Sequence, residues 1–104
     1  MDAVDWSKPR LGQLVIALKG RDAGKAAVIV GIDDDRYVRI ADGDKRKFDQ
    51  AKKKNVIHLK LKYHIADEVA ASLRETGRVT NGKLRFAVNK YMESEPLDAA
   101  QKGD

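Results

Sequence analysis

Gly12-Gln13-Leu14-Val15-Ile16-Ala17-Leu18-Lys19-Gly20-Arg21-Asp22-Ala23-Gly24-Lys25-Ala26-Ala27-Val28-Ile29-Val30-Gly31-Ile32 is the stretch from which the fold can be read. In its first third Leu14, Ile16 and Leu18 recur every second residue, the period of a strand. Gly20 to Gly24 is a turn whose glycines suit left-handed backbone. Ala26 to Ile32 is a second, almost wholly apolar strand, with Val28, Val30 and Ile32 on one face. Two strands joined by a basic glycine turn are the nucleus of a β-domain.

Outward from this pair the same grammar continues. Asp33-Asp34-Asp35 is a polar turn, since Asp bonds its own backbone. Arg36 to Ala41 is a third strand with Val38 and Ile40 inward. Asp42-Gly43-Asp44 signals another hairpin, and Lys45 to Phe48 reads as a weaker fourth strand. After a lysine-rich loop, Asn55 to Leu61 alternates, with Ile57, Leu59 and Leu61 inward and His58, Lys60 and Lys62 outward. Five short strands so closely spaced predict a small barrel. Residues 1–11, with Pro9, read as a flexible lead-in.

The period then changes. Ile65, Val69 and Leu73 recur every four residues and Gly77 follows, predicting a helix over about 65–76. Val79 to Leu84 contains Asn81-Gly82 and could open a hairpin. The stripe Leu84, Ala87, Val88, Tyr91 and Met92 favours a second helix instead, capped by Thr80 or Asn81. Glu95-Pro96 ends it, and residues 96–104 read as a disordered tail. The expected organisation is a barrel over 12–63 and a helical extension over 64–95.

The 104 residues have room for one small core. No Cys is present, which excludes disulfides, thiolate zinc sites and thiol nucleophiles. Two His cannot build a three-His metal site, and no apolar run is long enough for a membrane helix. The opening residues lack the pattern of a signal peptide. The expectation is a soluble cytoplasmic protein with no cofactor and no metal.

Charge is the most informative part of the composition. The net charge is +5, yet Lys45 to Lys62 alone carries eight basic residues and one acid, leaving a balance of −2 on the rest. Such clustering is the footprint of a polyanion partner, against the plainer alternative of a solvated basic face. Lys45, Arg46, Lys47, Lys52, Lys53, Lys54, His58, Lys60 and Lys62 are its members, expected to form one continuous surface.

Other chemistries fit poorly. Gly20 to Lys25 falls one residue short of a phosphate loop, lacks a following Ser or Thr, and runs into a strand rather than a helix. Three adjacent aspartates lack the spacing of a calcium loop. His58 and His64 form no arrangement with Ser or Asp that asks for catalysis. With only six aromatics in the chain, a reader of folded RNA shape and phosphates is favoured over a single-strand reader.

Residues 12–32 resemble the KOW motif, an alternating strand, a basic glycine turn and a second apolar strand. Tyr37 to Asp44, Arg46-Lys47, the Lys52–Lys54 run and Val79-Thr80-Asn81 extend the likeness over roughly residues 12–92. They resemble bacterial KOW-domain RNA-binding proteins related to the archaeal and eukaryotic large-subunit ribosomal protein fourteen. The chain departs from that pattern at Ala26-Ala27, where relatives often carry another glycine or a bulky residue.

The resemblance implies a mainly β fold: a five-stranded Src-homology-3-like barrel followed by two C-terminal helices. It implies RNA binding and association with the ribosome or translation apparatus, with the first turn touching RNA. Lys19, Arg21 and Lys25 are thereby added as RNA-binding candidates, with Gly20 and Gly24 shaping the turn. The expected protein is not an enzyme, is monomeric when free, and binds RNA, most readily ribosomal. The competing expectations are a KOW module of the transcription machinery and a protein-interaction adaptor whose lysines serve solubility.

Overall fold

The computed structural model describes residues 6–94. The expected tail at 96–104 and the first five residues of the expected lead-in lie outside the described residues. Five strands are followed by two helices: β1 (Gln13–Ala17), β2 (Ala26–Ile32), β3 (Tyr37–Ala41), β4 (Lys52–Asn55), β5 (Leu59–Ile65), α1 (Asp67–Thr76) and α2 (Asn81–Ser94). Single 3-10 turns at Phe48–Gln50 and Val56–His58 flank β4. The strands form one antiparallel sheet in the order β4-β3-β2-β1-β5. The predicted mainly β architecture with two helices after it is what the chain adopts.

Both faces of the central strands are covered. Val15, Ala17, Ile29, Val38, Ile40 and Leu59 make one buried cluster. Leu14, Val28, Val30 and Ala41 make the other, with Ala66, Val69, Leu73, Val79, Leu84, Ala87 and Tyr91 from the helical half. A strand buried on both sides has no polar face to show, so β1 and β2 read as near-continuous apolar runs. On α2, Leu84, Ala87 and Tyr91 are buried at the spacing of one helical stripe. The turn at Val56–His58 draws the sheet's two ends together: Val56 N–H donates to Arg36 C=O at 2.7 Å, and Leu18 N–H donates to His58 C=O at 2.9 Å.

Several boundaries differ from the sequence expectation, each for a physical reason. Lys45 to Phe48 is not a strand. Asp42 Oδ1 accepts from the Asp44 and Arg46 amides at 2.8 and 2.9 Å, turning the chain there instead. The fourth strand is the lysine run itself, with Lys52, Lys53 and Lys54 opposite Ile40, Arg39 and Val38. Ile57 points outward, 71% exposed, because Asn55 Oδ1 accepts from its amide and starts the 3-10 turn that ends β4. The alternation therefore begins at Leu59. Asn81-Gly82 opens α2 rather than a hairpin, since Thr80 Oγ1 accepts from the Lys83 amide at 3.1 Å and caps the helix.

The Asp33–Asp35 turn is built as expected from its composition. Asp34 Oδ1 accepts from the amides of Arg36 and Tyr37, both at 2.8 Å. Those two bonds favour the ionised carboxylate and hold its pKa below the ordinary Asp range, with Lys53 and Arg36 adding to the effect.

A close approach at Gly43 locks the second helix to the sheet. Gly43 has φ +81°, and a Cβ there would lie 2.8 Å from Leu84 Cβ and 2.9 Å from the Arg85 nitrogen. Asn81 Oδ1 accepts from the Phe48 amide at 2.7 Å, and Arg85 donates to Gly43 C=O at 2.8 Å. Together these fix the start of α2 against the β3–β4 connection.

A separate brace, within the sheet, is Gln13, which is fully buried. The β1–β5 register shifts between Gln13 and Val15, so Lys62, Tyr63 and His64 of β5 lie opposite Leu14 alone. The Gln13 side chain spans this bulge, donating to Lys62 C=O at 2.9 Å and accepting from the Arg10 amide at 3.0 Å. Gln13→Ala is expected to cost about 1–3 kcal/mol, because two backbone groups lose their partner and a void remains. Urea unfolding of both proteins measures it, and a loss below about 0.5 kcal/mol would show the bulge needs no such brace.

Candidate functional site

The β1–β2 turn is the centre around which the basic residues gather. Gly20 and Gly24 both sit at positive φ, +89° and +86°, as the turn requires. The chain closes on itself through Ala17 N–H to Lys25 C=O at 3.0 Å and Gly24 N–H to Ala17 C=O at 2.7 Å. Lys19, Arg21 and Lys25 are thrown outward and are exposed.

Residues distant in sequence reach the same place. Lys54 Nζ lies 3.5 Å from the Lys19 carbonyl oxygen and beside Gly20. His58 is bonded through its carbonyl to Leu18, directly before Lys19. Lys25, Arg46 and Lys52 line one shallow cavity with Asp22, Asp42 and the apolar rims of Ala17 and Ile40. The strand period explains the meeting: Lys52 and Lys54 pair with Ile40 and Val38, so they share the face of the inner core and lean over its rim. Six cationic groups, Lys19, Arg21, Lys25, Arg46, Lys52 and Lys54, thus gather around one turn, with the His58 backbone bonded beside it.

The remaining candidates are placed elsewhere. Lys53 lies on the opposite face of β4, opposite Arg39. Both engage Asp33, Arg39 Nε at 3.3 Å and Lys53 Nζ at 3.8 Å, and the Lys53 ammonium also sits 5.0 Å from the Tyr37 ring centre. Lys45 and Lys47 project from the β3–β4 connection, with Lys47 Nζ donating to Asp44 C=O at 3.2 Å. Lys60 lies opposite Ile16, which packs with the helix-covered core, so it belongs to the other face of the sheet from Lys52 and Lys54. Lys62 follows it into a groove with Tyr63, His64 and Tyr91. The single continuous surface expected from sequence is therefore divided. One basic ring surrounds the turn, one stripe lies along β5, and Lys53 is partly neutralised.

Sequence reading missed the exposure of Tyr63. Tyr63 continues the odd-numbered set of Leu59 and Leu61 and so looks inward-facing. It is 80% exposed, because the β5 bulge turns it out. Arg85, which closes α2 onto the basic connection, was equally invisible in a helix of mixed charge. Among the described residues no cluster of His, Asp or Glu could hold a metal, and no helix is long and apolar enough to cross a membrane.

Fold and site together define a small basic β-domain with a helical cover. No protein-family model matches the chain. A curated relative from Bacillus subtilis (strain 168), described as "Putative ribosome-binding protein YbzG", is 50% identical over 54 residues, which is 52% of this chain and 73% of the relative. This chain belongs to the family of that Bacillus protein.

Proposed function

We propose that this chain is a KOW-type RNA-binding protein of the cytoplasm, not an enzyme, that associates with the ribosome by gripping phosphates of folded RNA. The observation that carries the reading is the convergence of Lys19, Arg21, Lys25, Arg46, Lys52 and Lys54 on the β1–β2 turn. These groups come from three separated segments, and none of them forms an ion pair within 4.0 Å among the described residues. Ammonium and guanidinium groups held this way release counterions from an RNA backbone, a sequence-independent source of affinity. The name of the Bacillus relative supports the ribosome as the setting. The sheet and the glycine turn support the KOW resemblance. A compact domain with both sheet faces already covered supports a monomer when free.

Sucrose-gradient sedimentation of tagged protein from a lysate tests the reading. Migration with large ribosomal subunits at low salt, and release to the top of the gradient at high salt, is the expected result. Protein that stays at the top under both conditions, or that recovers polymerase subunits on cross-linking, would sink it.

A further inference from the structure

On the other side of β1 from the basic turn's partners, the β5 bulge makes a second surface of different chemistry. Tyr63 is 80% exposed, with the Trp6 ring 5.3 Å away at a 50° tilt. His64 packs on Tyr91 with ring centres 5.3 Å apart and interplanar angle 59°. Lys60, exposed, and Lys62 line the same groove as Tyr63, His64 and Tyr91. A protruding aromatic ring costs hydrophobic burial, and here a bulge in the strand register is spent on exposing it. We infer that Tyr63, beside Trp6 and flanked by Lys60, is a stacking platform for an unpaired nucleobase of RNA.

The chemistry favours this occupant. A ring four-fifths exposed presents a face on which any base can stack, and an adjacent ammonium meets the phosphate one bond series away. A duplex cannot use such a ring, since its bases are already stacked on each other. The inference rests on the RNA-binding reading and refines it: the ring around the β1–β2 turn would hold backbone phosphates, and the bulge would hold an extruded or single-stranded base. An acidic peptide is the competing occupant, and it would use Lys60 without needing the ring.

Trp6 is the chain's single tryptophan and reports on the site directly. In the full-length protein, a short unstructured oligoribouridine is expected to quench Trp6 fluorescence. By anisotropy of labelled RNA, Tyr63→Ala is expected to weaken oligouridine binding about tenfold. Its affinity for an RNA duplex should change less than about twofold, since stacking contributes nothing there. Tyr63→Phe should restore binding. Should Tyr63→Ala leave oligouridine affinity unchanged while charge reversal at the turn abolishes duplex binding, the platform is refuted and the phosphate-binding turn stands. If the wild type binds neither RNA, both fall. Binding of a polyglutamate peptide with RNA leaving Trp6 unmoved would also refute the platform.

Discussion

Replacing Gly43 by alanine is expected to remove about 3–5 kcal/mol from the unfolding free energy, an unusually large effect for adding one methyl group. Two costs coincide. A residue with a Cβ held at φ +81° is strained by roughly 1–3 kcal/mol. The Cβ would also meet the Asn81 carbonyl oxygen, Leu84 Cβ and the Arg85 nitrogen, the rigid first turn of α2, and overpacking of that kind costs roughly 1–3 kcal/mol. Leu84 is fully buried and Asn81 is bonded to Phe48, so the helix cannot simply step back. Small domains have a total stability of roughly 5–15 kcal/mol, so much of the molecule's margin is at stake. Gly24→Ala is the control. It has the same sign of φ, +86°, with nothing within 4 Å, and should cost only about 1–2 kcal/mol. Urea unfolding of the two variants separates clash from backbone strain, and equal losses would mean α2 is not wedged against Gly43.

The second large effect concerns binding. With about five phosphates neutralised, log affinity should fall against log salt with a slope near −4 to −5. The triple charge reversal Arg21→Glu, Lys25→Glu and Lys54→Glu should flatten that slope to about −2 and weaken RNA binding at least a hundredfold at low salt. These side chains lie on the surface around the turn, so thermal stability should move by no more than about 0.5 kcal/mol per site. Lys53→Glu is the informative comparison. Its ammonium already faces Asp33 and the Tyr37 ring on the other side of β4, and its reversal should weaken binding only about fivefold. If Lys53→Glu proves as damaging as the triple variant, the ring around the turn is not the RNA contact.

Much of the fold was legible because its punctuation is local. Glycines at 20 and 24, aspartates that bond their own backbone, and a four-residue apolar repeat before Gly77 each act within a few residues. The basic segment was visible as composition. What escaped were mostly features decided across the sheet. Lys52–Lys54 looks like a solvated loop until Val38, Arg39 and Ile40 are available to pair with it. Only then does the two-residue period separate Lys53 from its neighbours. Ile57 looks like core until Asn55 caps a 3-10 turn beneath it. Tyr63 looks like core until the register shift opposite Gln13 is known. For the lysine run and Tyr63 the local signal was correct in kind, and a cross-strand partner set its sense. At Ile57 the deciding bond is local, two residues away, and competes with the two-residue period.

The position of β4 at one end of the strand order has a further consequence. An outermost strand offers a row of free amide and carbonyl groups, an invitation to any other extended chain. Here that row is spelled Lys-Lys-Lys-Asn, so a second copy adding alongside would crowd its own ammonium groups against these. Like-charge repulsion along Lys52–Lys54 therefore disfavours the pairing of a second copy at this margin.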